Sequence, residues 1–150
     1  MPRATLDRLL APRWRGAVGV VPLLIRVGTG VFLLGAGVGK LADHAKEVAD
    51  FKDFGVPLPD LAVYASGVVE VVCGVLLVIG LLTRIAAALL AANLIGALLS
   101  AGVNVGGTFH LVVGPTILLL MLVLVWTGAG ALSVDGLLTR RARQRPSSTT

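Results

Sequence analysis

The sequence predicts an all-α membrane domain: an antiparallel transmembrane four-helix bundle with its N- and C-termini cytoplasmic. Three observations lead there. Of 150 residues, 56% are hydrophobic and only 14% charged, whereas soluble domains carry about 25% charged residues. Apolar runs of about 20 residues suit a hydrocarbon core of about 30 Å, and four fit the chain: Ala17–Gly39, Leu61–Leu82, Ile85–Val103 and Phe109–Thr127. The third observation is the placement of charge. Arg3, Arg8, Arg13 and Arg15 precede the first run, Arg84 separates the second from the third, and Arg140, Arg141, Arg143 and Arg145 follow the fourth. Four crossings put all of these on one side, which the positive-inside rule makes cytoplasmic. Trp14 and Trp126 mark the same face as interfacial aromatics.

The expected location is therefore the cell membrane, multi-pass. A net charge of +5 and a pI ≈ 10.4 do not signal nucleic acid. The arginines sit at span ends, where each is worth about 1 kcal/mol against anionic lipid. Cys73 is the single cysteine, which excludes an internal disulfide and Cys-x-x-Cys chemistry.

Residues 1–16 form a basic cytoplasmic segment, with Leu6, Leu9 and Leu10 among arginines as in a short surface helix. The transmembrane domain spans 17–138. Its first run reads as a retained helix and not a cleaved signal, because Arg26 interrupts it and no clear Ala-x-Ala site follows. In the next connection, HAKEVADFKDFGVPLPD, Val48, Phe51 and Phe54 recur at helical spacing. That predicts a short amphipathic helix on the outer headgroups, ended by Gly55 and Pro57. The loop 43–60 is acidic: Asp43, Glu47, Asp50, Asp53 and Asp60 oppose Lys46 and Lys52, a surface suited to a basic partner. GLLTR at 80–84 is short enough to make the second and third helices antiparallel neighbours. After the fourth helix, Ser133 can cap a last cationic surface helix. Residues 139–150 are a basic tail, ending in PSSTT, that is expected to be disordered. No internal repeat and no β-alternation appear.

Polar residues inside the spans carry what chemistry there is. At 1.5 Å per residue, Arg26, Glu70 and Asn93 lie at about 13, 18 and 12 Å from the inner edge, a common level. Each lies on a stripe of small or polar residues: Arg26, Thr29, Gly30, Gly37 and Lys40; Ala62, Ser66, Glu70, Cys73 and Gly74; Asn93, Gly96, Ala97 and Ser100. Small residues allow close helix approach in lipid, so the three stripes are expected to face one another. Arg26 is then expected to pair with Glu70, since an unpaired charge at mid-bilayer costs at least about 2.5–3.5 kcal/mol. The pair is either a structural clamp or a clamp lining a cavity for a quinone headgroup, an anionic solute or a proton-relay water. Asn93 reads as helix glue and Cys73 as packing. Lys40, at a span end, is expected to reach the outer headgroups.

His44 and His110 are too few for a zinc or haem site, and His110 reads as an interfacial polar group. No metal is expected. The glycines of GTGVFLLGAGVG follow no strand and suit helix packing instead of a nucleotide loop. No Ser-His-Asp set, Walker lysine or His-Glu-x-x-His motif occurs, so no catalytic residue is assigned.

Four motifs, in order, resemble the DoxX-like small membrane proteins. They are R-x-G-x-G-x-F-x-x-x-x-G-x-G-K at 26–40, FGVPLP at 54–59, E-x-x-C-G-x-L-L-x-x-G-L-L-T-R-I-A-A at 70–87, and GAGALSVDGLL at 128–138. The resemblance implies four transmembrane helices and membership of a membrane redox assembly, as in a thiosulfate:quinone oxidoreductase subunit or an oxidative-stress complex with soluble partners. It matches the family's helix-1 arginine and lysine to Arg26 and Lys40, its glutamate to Glu70 and its turn arginine to Arg84. Ala129 departs from the family's proline, and Phe109–His110 from a Tyr–Glu-like pair. Thiosulfate oxidation does not transfer.

The expected function is an integral subunit that anchors other protein subunits, through loop 43–60 or helix 4, and binds quinone or lipid near Arg26, Glu70 and Asn93, with Thr29, Ser66 and Cys73 nearby. The alternatives are a small proton- or ion-coupled transporter using Glu70, and a purely structural accessory subunit.

Overall fold

The computed structural model describes residues 19–102 and 107–144. The expected surface helix within 1–16 and the PSSTT tail lie outside them. Four helices are long and apolar enough to cross a membrane: Val20–Ala42, Pro59–Ile79, Thr83–Gly102 and His110–Thr127. Shorter helices join and follow them.

α1 (Val20–Ala42) carries Pro22 in its first turn, where the missing N–H costs nothing. It runs three residues past the expected Gly39, because Lys40 interrupts hydropathy without interrupting backbone hydrogen bonds. Asp43 (φ −112°, ψ 44°) breaks it. α2 (His44–Asp53) follows at once, with Val48, Phe51 and Phe54 half-buried and Lys46, Ala49 and Lys52 exposed. The amphipathic face expected from the spacing is the one that packs.

α3 (Pro59–Ile79) starts on a proline and stops at Gly80, whose φ of 71° places it in the left-handed region. The Gly80 N–H donates to Leu76 O at 2.9 Å and the Leu81 N–H to the same oxygen at 3.0 Å. This glycine-ended turn satisfies a carbonyl that would otherwise face lipid.

α4 (Thr83–Ala97) continues as a π-helical turn, Leu98–Gly102. A second π-helical turn, Phe109–Val113, leads into α5 (Gly114–Thr127). α6 (Val134–Gln144) begins as the sequence suggests: the Gly136 N–H donates to Ser133 Oγ at 3.1 Å.

α1 and α3 share the most extensive helix contact, followed by α4 with α5. Gly30 packs on Gly74, and Gly37 on Gly67, so contacts along these two helices run in opposite order. Leu33, Leu77, Leu90, Ile117, Met121 and Leu124 form the core. Large apolar side chains also cover the outside: Leu24, Leu61 and Leu119 are each more than 60% exposed. At about 25 cal/mol per Å² such a surface is costly in water and costless in lipid. The chain is a multi-pass membrane protein.

Candidate functional site

The polar residues form two centres, at opposite ends of the α1–α3 interface. Arg26 is 1% exposed and holds the first. Its Nη1 donates to Leu77 O at 3.0 Å and Val78 O at 3.1 Å, and its Nη2 to Leu132 O at 2.6 Å and Ala131 O at 3.4 Å. The guanidinium thus ties the last turn of α3 to the GAGALS segment before α6. Gly80 is required here: a Cβ would collide with Arg26 Nη1, and lie 2.8 Å from Ser133 Cβ.

Asp135 (1% exposed) works beside it. Its carboxylate accepts from the Leu82 N–H at 2.8 Å and the Thr83 N–H at 3.0 Å, while its own N–H donates to Gly80 O at 3.0 Å. That caps α4, whose N-cap position is a leucine with no side-chain oxygen. Leu82 (φ 50°) and Leu132 (φ 48°) are left-handed, a state costing a leucine about 1–2 kcal/mol. Both are pinned by these hydrogen bonds, so surrounding contacts over-determine the strained backbone.

The expected Arg26–Glu70 pair does not form. In the register set by Gly30–Gly74 and Gly37–Gly67, Arg26 faces Leu77 and Val78. Glu70 lies two helical turns away, about 10 Å at 1.5 Å per residue. Depth counted from the ends of hydropathy windows set Arg26 about 6–7 Å deeper than Leu77 and Val78, which it meets. Asp135 supplies the opposing charge; carbonyls accept from both terminal nitrogens, while Nε is buried without a hydrogen-bond partner.

Lys40 takes the place expected for Arg26, and does not reach outward. Its Nζ bonds both Glu70 oxygens, at 2.7 Å to Oε1 and 2.6 Å to Oε2. Asn93 Nδ2 donates to Oε1 at 3.0 Å and Ser66 Oγ lies 3.4 Å from it. Glu70 is 4% exposed. Three elements meet in this second centre: the end of α1, the middle of α3 and α4. The signal for Lys40 was in the sequence, three residues beyond Gly37 on the stripe that faces α3.

This cluster borders a cavity of about 810 Å³. Its walls are small: Ala36 and Gly39 of α1, Ala62 and Ala65 of α3, and Ala92, Gly96, Ala97 and Ser100 of α4 and its π turn. The stripe on α4 therefore does not pack on its neighbours as expected; its short side chains leave the space open. α2 lies across the cavity with Glu47, Asp50, Phe51 and Phe54, and the second π turn contributes His110. Phe54 meets His110 edge-on at 5.6 Å and Phe51 at 5.9 Å. His44 anchors the start of α2 on α3, stacking on Tyr64 at 3.9 Å and bonding Asp60 at 2.8 Å through Nε2. Phe51 and Phe54 were legible as an apolar face but not as a cavity wall.

Of the other candidates, Thr29 bonds Ile25 O within its own helix at 2.6 Å, and Cys73 is buried in the core. Neither lines the cavity, nor does Arg84, half-buried in the first turn of α4. Among the described residues no group of His, Cys, Asp and Glu is arranged to hold a metal.

Fold and site together define a small multi-pass membrane protein with a polar-floored cavity between its helices. The chain belongs to the DoxX family, whose model matches residues 21–103, the stretch from α1 through α4. It is 33% identical over 134 residues to "Uncharacterized membrane protein Rv3486" of Mycobacterium tuberculosis, covering 80% of this chain and 82% of the relative. It is 31% identical over 113 residues to "Putative oxidoreductase CatD" of Bacillus subtilis, covering 75% and 83%. No solved structure matches significantly.

Proposed function

We propose that this protein is a non-catalytic integral subunit of a membrane redox complex that anchors partner subunits and holds a quinone or lipid in the cavity beside Lys40, Glu70 and Asn93. One observation carries this: a cavity of about 810 Å³ with mostly apolar walls, a hydrogen-bonded Lys40–Glu70–Asn93 cluster at its floor, and Glu47 and Asp50 on α2. Small-molecule sites have that character, mostly apolar with a few placed polar groups. The oxidoreductase name of the Bacillus subtilis relative points the same way.

In this reading the four spans form an antiparallel bundle, with residues 17–138 as the membrane domain between the basic segments 1–16 and 139–150. The arginine-rich ends and Arg84 lie in the cytoplasm. The cavity then opens toward the outer leaflet beneath α2, and the acidic segment 43–60 or α5 offers the surface for a partner. Arg26, Thr29 and Cys73 leave the ligand site and become structural.

The test is a pull-down from native membranes with analysis of the organic extract. Co-purifying redox proteins and a quinone or lipid lost in Glu70→Ala are expected; a solitary, ligand-free protein refutes the proposal. Orientation is checked separately, by labelling a cysteine at Lys52 or Thr139 in a Cys73→Ala background, with only the Lys52 position reactive from outside. The transporter alternative predicts proton-coupled uptake in liposomes that Glu70→Gln abolishes. A purely structural accessory subunit predicts partner binding that survives every substitution in the cavity.

A further inference from the structure

The ligand cavity of the proposed function has a definite charge character. Lys40 and Glu70 neutralise each other through two short bonds, so the floor carries an ion pair and no net charge. Both carboxylate oxygens are engaged, with Asn93 as the further donor to Oε1. At this floor the groups still able to bind carry no net charge: the Asn93 carbonyl oxygen, its second amide hydrogen, and the third N–H of Lys40. They suit a headgroup that presents both an acceptor and a donor.

A charged headgroup fares differently. Entering the cavity, it would lose hydration worth several kcal/mol, and the paired floor offers attraction from one partner and repulsion from the other. Glu47 and Asp50 on α2 make the lining net negative, which repels anions and attracts cations. Phe51, Phe54 and the alanine and glycine walls accept a ring or an alkyl chain without asking for charge.

We infer that the Lys40–Glu70 pair is a charge filter: with Lys40 cancelled by Glu70, and Glu47 and Asp50 on the wall, the cavity takes neutral or cationic hydrogen-bonding amphiphiles and rejects anionic ones. This rests on the proposal that the cavity holds an amphiphile, and it names the class. Glu70 sets specificity by cancelling Lys40, so its removal should admit anions and not merely weaken binding.

The experiment is equilibrium binding to the full chain in phosphatidylcholine nanodiscs, corrected for empty nanodiscs. The probes are monolaurin and decylubiquinone (neutral), laurate (anionic) and dodecylamine (cationic). Wild type should bind monolaurin and dodecylamine at least about tenfold more tightly than laurate. Glu70→Gln, which leaves Lys40 uncompensated, should shift the laurate-to-monolaurin ratio at least about tenfold toward laurate. Lys40→Met should shift the ratio as far toward dodecylamine. The double variant should return to the wild-type ranking.

A wild-type preference for laurate over monolaurin overturns the filter, and that measurement does not depend on any variant folding. A folded Glu70→Gln variant with the wild-type ranking overturns it too. Saturable monolaurin binding without decylubiquinone binding supports the filter while removing the quinone from the proposed function. No saturable binding of any probe overturns both.

Discussion

Gly37→Ala isolates the contact on which the α1–α3 register depends. A Cβ on Gly37 would lie 2.8 Å from Glu70 Cβ, 2.8 Å from Gly67 O and 2.9 Å from Val71 N. Ordinary contact begins near 3.4 Å, so the helices must part by about half an ångström or more at this level. Two of the three obstacles are backbone atoms and cannot rotate away. Overpacking of this kind costs about 1–3 kcal/mol. Gly28, on the same helix, meets nothing within 4 Å, and alanine there should gain about 0.5–1 kcal/mol from helix propensity. The two single-methyl additions should thus differ by about 1.5–4 kcal/mol with opposite signs. Unfolding in mixed micelles by titration with dodecyl sulfate, followed by far-ultraviolet circular dichroism, measures the difference. Equal stability of the two variants, or greater damage from Gly28→Ala, would refute the close approach and the register built on it.

The remaining predictions concern the polar centres. Arg26→Met should destabilise the fold by about 3 kcal/mol or more, since it strips donors from the Leu77, Val78 and Leu132 carbonyls; Arg26→Lys should recover only part, because a point charge cannot fork between α3 and the segment before α6. The same micelle titration reads both. Asp135→Ala should cost about 1–2 kcal/mol through the lost cap on α4, with amide exchange accelerating first at Leu82 and Thr83. For Lys40 and Glu70, a double-mutant cycle with Lys40→Met and Glu70→Gln should show coupling of about 2 kcal/mol or more, whereas Arg26→Met with Glu70→Gln should add within about 0.5 kcal/mol. Coupling between Arg26 and Glu70 instead would mean that the two centres are one.

The sequence alone determined what depends on properties along one chain. Hydropathy located four spans, helical spacing found the face of α2 that packs, and Ser133 announced the start of α6. The small-residue stripe from Gly30 to Lys40 already marked the face of α1 that meets α3. Which residues meet across that face was a matter for the tertiary structure. Glycine-to-glycine contact sets the α1–α3 register to within a fraction of a turn, while hydropathy windows end where polarity happens to rise, several residues from the true helix ends. Two turns of difference exchanged Arg26 for Lys40 as the partner of Glu70. The cavity, too, arose from what α2 and the π turns leave unfilled around the short side chains of α4. Empty space is a relation among elements, and a sequence records it only as small residues, the same sign it uses for tight packing.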